Sequence, residues 1–157
     1  MTISRDSETI LEASIPVYAT DATRCESLGP ALASLLLQRL PVKRVQFKGD
    51  SMTVVRLLRQ ECRPHDVWLF NASQITLDML MGMEVEVQWI PRAENSVCDA
   101  LARRAVTQGC IELAAAPEFE VAHLRGWRNI CVEFVKRFDM SPLYPQRVSC
   151  VVRPLSF

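Results

Sequence analysis

The sequence has few histidines and lacks the ligand spacing from which zinc sites are built. It contains two histidines, His65 and His123, and its six cysteines include no Cys-x-x-Cys pair. Structural zinc sites use four closely spaced Cys or His ligands, so the spacing argues against such a site. Because no signal-peptide pattern opens the sequence, we expect reduced thiols in an intracellular protein, with no preference between cytoplasm and nucleus.

A strong net charge and a long apolar run are also missing. The 157 residues carry 18 Lys and Arg against 18 Asp and Glu, which gives a formal net charge of zero. Nucleic-acid binding would therefore depend on local basic clusters. No apolar run approaches the roughly 20 residues of a membrane-spanning helix, so we expect no membrane partner. The length and the 49% hydrophobic content predict one domain with a real core, plus an appendage.

The hydrophobic pattern predicts an α/β fold in the order β-β-α-β-α-α-β-α. Two β runs at residues 1–4 and 9–17 flank a short polar stretch and predict an antiparallel hairpin. The later strands alternate with helical patterns, which is typical of parallel strands in a mixed sheet. The later strands are predicted at 42–47 and 85–90. One helix is capped by Ser51, and a second spans 67–81 and is ended by Gly82. A third is capped by Asn95 or Ser96 and runs to about residue 106.

Pro30 complicates the first helical segment. Residues 31–40 are rich in Leu and Ala and predict a buried helix, and residues 20–24 predict a turn before it. Proline is tolerated in a first helical turn but kinks a helix interior. The helix is therefore expected either to start near Pro30 or to bend there.

The character of the sequence changes after Gly109. Residues 114–117, AAAP, are predicted to be a connection, and residues 126–138 an amphipathic helix. This helix would either pack on the domain or dock to a protein partner. We thus predict a domain over residues 1–107 and a C-terminal extension over residues 108–157.

Two aspartates follow predicted strands. Asp50 ends the stretch 47–50, FKGD, and Asp99 lies one turn into the helix after strand 85–90. Carboxylates at the ends of adjacent strands build magnesium sites in α/β sheets. Each aspartate also has a structural explanation, Asp50 as a helix N-cap and Asp99 as a carboxylate favoured by the helix dipole. Glu26, by itself, would be an ordinary surface glutamate.

Together these motifs resemble ribonuclease H type 1. They are most similar to its reverse-transcriptase-like branch, found in retroelements and in plant or oomycete proteins. The resemblance rests on Gly49-Asp50-Ser51 after one strand, and on Arg92, Asn95 and Asp99-x-Leu-Ala-x-x-Ala after the next. Residues 23–26, TRCE, resemble the segment that bears the family's catalytic glutamate.

The resemblance implies a ribonuclease H-like mixed sheet and a nucleic-acid partner. In that family two Mg²⁺ ions, with Mn²⁺ as a substitute, clamp the RNA strand of an RNA–DNA hybrid for hydrolysis. Glu26, Asp50 and Asp99 are implied as catalytic residues and metal ligands. The implied substrate contacts are Arg24, Ser51, Arg92 and Asn95, of which the two arginines have a plain alternative as solvated surface charges.

Two features of the family are missing from this sequence. The family's first strand, which precedes the hairpin and carries a further metal-binding aspartate, has no counterpart, so the fold is expected to be N-terminally truncated. Residues 89–92, WIPR, stand where many relatives carry a histidine. Two hypotheses follow: a Mg²⁺-dependent hybrid endonuclease, or a catalytically impaired binding or interaction module from a retroelement fragment.

Overall fold

A computed structural model describes residues 1–17, 21–119, 121–138 and 150–155. Contacts divide the chain into two compact units, one formed by Met1–Tyr18 with Val97–Phe157 and the other by Ala19–Ser96. The strands are β1 Thr2–Arg5, β2 Glu8–Ser14, β3 Arg44–Gly49, β4 Glu84–Trp89, β5 Ile111–Ala115 and β6 Cys150–Pro154. The helices are α1 Ala22–Leu37, α2 Met52–Leu58, α3 Val67–Met79, α4 Ser96–Gln108 and α5 Val121–Phe138.

The first unit contains a four-stranded sheet in the order β1-β2-β5-β6. β1 and β2 form the predicted antiparallel hairpin, closed by Asp6 and Ser7 at φ 51° and 68°. Positive φ at both central residues is the type I′ geometry that suits the twist of a hairpin. β5 pairs antiparallel with β2, and β6 pairs parallel with β5, so this sheet is mixed, with a parallel pair of strands that the sequence did not predict.

The prediction that residues 114–117 are a connection is wrong. Ala114 and Ala115 belong to β5, opposite Glu12 and Leu11 of β2, and both are buried. The run of alanines resembles a loop in sequence because it lacks the β-branched and aromatic residues that mark strands. The residues beyond position 107 thus contribute two strands to the sheet of the hairpin.

One face of this sheet packs against α5. The helix begins at Val121, five residues before the predicted start, and buries Trp127, Cys131, Phe134 and Val135. The Phe119 ring meets the Trp127 ring edge-on, with 5.0 Å between their centroids. The side chain of Phe138, which the sequence places in the same apolar stripe, lies outside the described residues, as do positions 144–149 of the tail.

The second unit is built on two parallel strands. β3 and β4 pair in register from Arg44 opposite Glu84 to Gly49 opposite Trp89. Ser51 caps α2 as predicted, accepting a hydrogen bond from the Val54 amide at 3.4 Å. Gly82 has φ +83°, a left-handed conformation that favours glycine after a helix.

Helix α1 starts earlier than predicted. Asp21 caps it by accepting from the Arg24 amide at 2.9 Å, so residues 22–24 are helical and the predicted turn is wrong there. Thr20 lies outside the described residues. Pro30 sits inside the helix, and because proline has no N–H, the Glu26 carbonyl four residues earlier lacks its helical donor. None of the helices in the described residues is long and apolar enough to cross a membrane.

Candidate nucleic-acid site

Asp50 lies directly after β3 and does not cap the next helix. The cap is Ser51, whose side chain accepts the hydrogen bond from the first turn of α2. The alternative that Asp50 is merely an N-cap is therefore wrong. Its carboxylate stands at the carboxyl end of a parallel strand, where ligands bind in open α/β sheets.

Asn95 and Trp89 hold Asp50 in place. The Asn95 Nδ2 donates to Asp50 Oδ1 at 2.8 Å, and the indole N–H of Trp89 donates to the Asp50 carbonyl at 3.1 Å. Asn95 comes from a short 3₁₀ helix, Arg92–Asn95, that follows β4. Asp50 and Asn95, two of the predicted site residues in the second unit, thus meet through a hydrogen bond between the segments that follow paired strands.

Asp99 lies in the first turn of α4 in the first unit. Its Oδ2 accepts from Arg103 Nη2 at 2.7 Å, an i,i+4 pair on the helix surface. Asn95 belongs to the 3₁₀ helix that precedes α4. Leu101 and Ala105 provide the buried face of α4, whereas Ala102 is exposed.

Glu26 is exposed on α1, four residues before Pro30. The missing N–H of Pro30 leaves the carbonyl of Glu26 available, so the helix backbone is weakened at this predicted catalytic residue. Arg92 is likewise exposed, in the 3₁₀ helix after β4, and Ser51 is half-buried at the start of α2.

Arg24 is held by carboxylates of its own unit. Its Nε and Nη2 donate to Asp66 Oδ2 at 3.1 and 2.5 Å, its Nε lies 3.2 Å from Asp21 Oδ2, and its guanidinium is 5.7 Å from the centre of the Trp68 ring. These contacts raise the pKa of Arg24, chiefly through the hydrogen bond to Asp66. In this structure the guanidinium stabilises the fold through Asp66. The role of Arg24 as a substrate contact stays a prediction.

Sequence reasoning missed Asp66 as the partner of Arg24. Asp66 also caps α3, accepting from the amides of Trp68 and Leu69 at 2.8 and 3.2 Å. The hydrogen bond from Arg24 is the main cause that lowers the pKa of Asp66. The available signal was an aspartate immediately before a helical pattern, which marks an N-cap but does not reveal a partner 42 residues away.

The assignment of Glu26, Asp50 and Asp99 as metal ligands stays a prediction. In the part of the chain that the structure describes, no three His, Cys, Asp or Glu side chains lie close enough together to hold a metal ion. Asp50 and Asp99 each have one oxygen engaged by a nitrogen donor.

Comparisons with known proteins agree with this fold. The model of a reverse transcriptase-like family matches residues 33–105, which include Asp50, Asn95 and Asp99. The crystal structure of RNase H1 from the halophilic archaeon Halobacterium salinarum NRC-1 is similar with a TM-score of 0.62 and 21% sequence identity, over 68% of this chain and 81% of that chain. No curated protein sequence matches. The mixed sheet flanked by helices and this structural likeness show that the chain has a ribonuclease H-like fold, and residues 33–105 of it resemble the reverse transcriptase-like family.

Proposed function

We propose that this chain binds nucleic acid and that its ligand is an RNA–DNA hybrid. The observation that carries the proposal is the bond between Asn95 and Asp50 at the carboxyl ends of β3 and β4. Arg, Asn and Ser side chains are among the groups that hydrogen-bond to sugars and phosphates in such complexes. Arg92, Asn95 and Ser51 provide these groups beside Asp50 in the sequence segments that end the two strands.

Fluorescence anisotropy in EDTA tests the binding proposal. A labelled RNA–DNA hybrid should bind the full chain more tightly than a DNA duplex of the same sequence. Arg92→Gln should weaken binding to about the same extent for all sequences. It should also reduce the slope of log binding constant against log salt concentration by the roughly 0.9 that one phosphate contact contributes. Arg39→Gln, which removes an exposed arginine after α1, is the matched control. Equal affinity for both duplexes would refute the choice of ligand.

A second candidate function is Mg²⁺-dependent hydrolysis of the RNA strand. It assigns Glu26, Asp50 and Asp99 as ligands for Mg²⁺, or for Mn²⁺ as a substitute. Its support is Asp50, a strand-end carboxylate that no helix cap explains. The alternative is a catalytically impaired binding or interaction module, which the pairing of Asp99 with Arg103 favours.

Cleavage assays separate these two functions. A hydrolase should cut the labelled RNA of a hybrid in Mg²⁺ or Mn²⁺, and Asp50→Asn should abolish cutting while leaving binding in EDTA measurable. Asp6→Asn, at the hairpin turn, is the control because asparagine tolerates the same positive φ. Binding without cleavage in either metal would leave the impaired module.

A further inference from the structure

Helix α5 carries a concentration of positive charge, although the formal net charge of the chain is zero. Its 18 residues include Arg125, Arg128, Lys136 and Arg137 against a single acidic residue, Glu133. The other helices each carry two Lys or Arg residues at most. The formal net charge of the whole chain is zero, so α5 is the kind of local basic cluster that nucleic-acid binding would require.

The positive charges lie opposite the buried face of the helix. Trp127 and Cys131 are fully buried against the sheet, whereas Arg125, Arg128 and Lys136 are exposed. At 100° per residue, Arg125 and Lys136 fall within about 20° of one another on the helix surface, and Arg128 flanks them. The two residues are eleven positions apart, so this basic face is about 16 Å long. Glu133 offsets Lys136 through a 2.8 Å ion pair.

A basic amphipathic helix often lies on membranes, but α5 does not offer the surface that this mode needs. Membrane binding requires the apolar face to enter the lipid. Here that face is committed to the sheet, with Trp127 also packed on Phe119. Only the charged face remains, and it complements a regular array of phosphates. A 16 Å length of duplex presents on the order of ten phosphate charges.

We propose that the exposed face of α5, formed by Arg125, Arg128 and Lys136, contacts the phosphate backbone of the bound nucleic acid. The inference rests on the proposed hybrid binding and concerns the first unit alone. The amphipathic pattern of this helix leaves two roles open, packing on the domain and docking to a partner. The buried face serves the packing, and the basic face serves the ligand.

The test uses the full chain and a labelled RNA–DNA hybrid in EDTA, with anisotropy measured from 50 to 200 mM salt. The variant R125Q/R128Q/K136Q should bind at least tenfold more weakly at 50 mM salt. The slope of log binding constant against log salt concentration should decrease in magnitude by about two to three. Each lost phosphate contact removes roughly 0.9 from this slope. The control R39Q/K43Q/R44Q removes the same charge from the second unit and should keep the wild-type slope.

The outcomes separate this inference from the proposed function. Wild-type affinity and slope in the α5 variant would overturn the inference while leaving hybrid binding intact. A wild-type chain that binds no hybrid would overturn both. Binding to poly-glutamate in preference to the hybrid would overturn the choice of a phosphate ligand. Because Arg128 also bonds the Cys150 thiol, R125Q/K136Q provides a second variant that spares this contact, and it should show an intermediate slope.

Discussion

The amide of Asn95 donates a hydrogen bond to the carboxylate of Asp50 across 2.8 Å. Asn95 thereby positions the Asp50 carboxylate, and its implied role as a substrate contact stays a prediction. The bond ties the segment after β4 to the segment after β3. Its loss would release both at the end of the sheet where the ligand is proposed to bind.

Asn95→Ala should therefore destabilise the chain by about 1–1.5 kcal/mol, since a hydrogen bond to a charged group is removed at a half-buried site. Urea unfolding followed by circular dichroism measures this. Asn71→Ala, at an exposed position of α3, should change stability by less than about 0.5 kcal/mol. Equal effects of the two substitutions would show that the bond contributes nothing.

Removing Pro30 should stabilise helix α1. Pro30→Ala restores an N–H for the Glu26 carbonyl and relieves the clash of the proline ring, which costs about 3 kcal/mol in a helix interior. The gain is offset in part by the greater freedom of the unfolded chain. We expect a net gain of about 1–2 kcal/mol and a higher melting temperature by calorimetry. Pro117→Ala, at an exposed position outside any helix or strand, should give no such gain.

The Arg24–Asp66 pair should make stability depend on acid pH. The pKa of Asp66 is lowered in the folded chain, so the pair stabilises the fold above the unfolded pKa of about 3.9. This contribution should be lost as the pH falls from about 4 through the lower folded pKa. Melting temperatures of wild type and Asp66→Asn should therefore differ at pH 7 and converge near pH 2. Asparagine keeps the helix cap, so a difference that persists at pH 2 would contradict this assignment.

Trp127 anchors α5 to the sheet of the first unit. Trp127→Ala should cost about 3–5 kcal/mol, because the side chain is fully buried and its removal leaves a cavity. His123→Ala changes an exposed ring on the same helix and should cost far less. Denaturant titration of both variants compares them, and a small loss for Trp127→Ala would mean that α5 is not anchored through this residue.

Arg59 protects the outer edge of β4. Its Nε and Nη2 donate to the Val87 carbonyl at 3.0 and 2.8 Å. The amides of Glu84 and Ile90 point towards β3, so the carbonyl of Val87 points away from it. Arg59→Ala should expose this edge and increase self-association, as unprotected edges do. Light scattering against concentration measures the effect, with Arg56→Ala on α2 as the control.

Local signals predicted most of the second unit. Ser51 before an apolar stripe identifies a cap, and the alternation around Val85 and Val87 identifies a strand. Pro30 misled the prediction of α1, because a proline suggests a helix start and only tertiary packing of the Leu and Ala residues shows that the helix continues through it. The alanines of β5 misled in the same way, since a strand of small residues is defined by its partner β2 and carries little signal of its own.

The candidate site was predicted in its parts and not in its contacts. Sequence spacing identified Asp50 and Asn95, because both follow strands. It did not show that Asn95 would bond Asp50, or that Arg103 would pair with Asp99, since such contacts depend on side-chain reach in three dimensions. Arg24 illustrates the same limit, because its partner Asp66 is distant in sequence and no local pattern connects them.

The order in which a ribosome delivers this chain has a consequence for its folding. The hairpin of β1 and β2 leaves the ribosome before the second unit, and its partner strand β5 begins only at Ile111. At 5–20 residues per second, about 100 residues of synthesis leave the edge of β2 waiting on the order of 5–20 s. The contiguous second unit can fold during that interval. The hairpin meanwhile waits for β5 with one edge of β2 unpaired, and in this period it has the greatest need of chaperones.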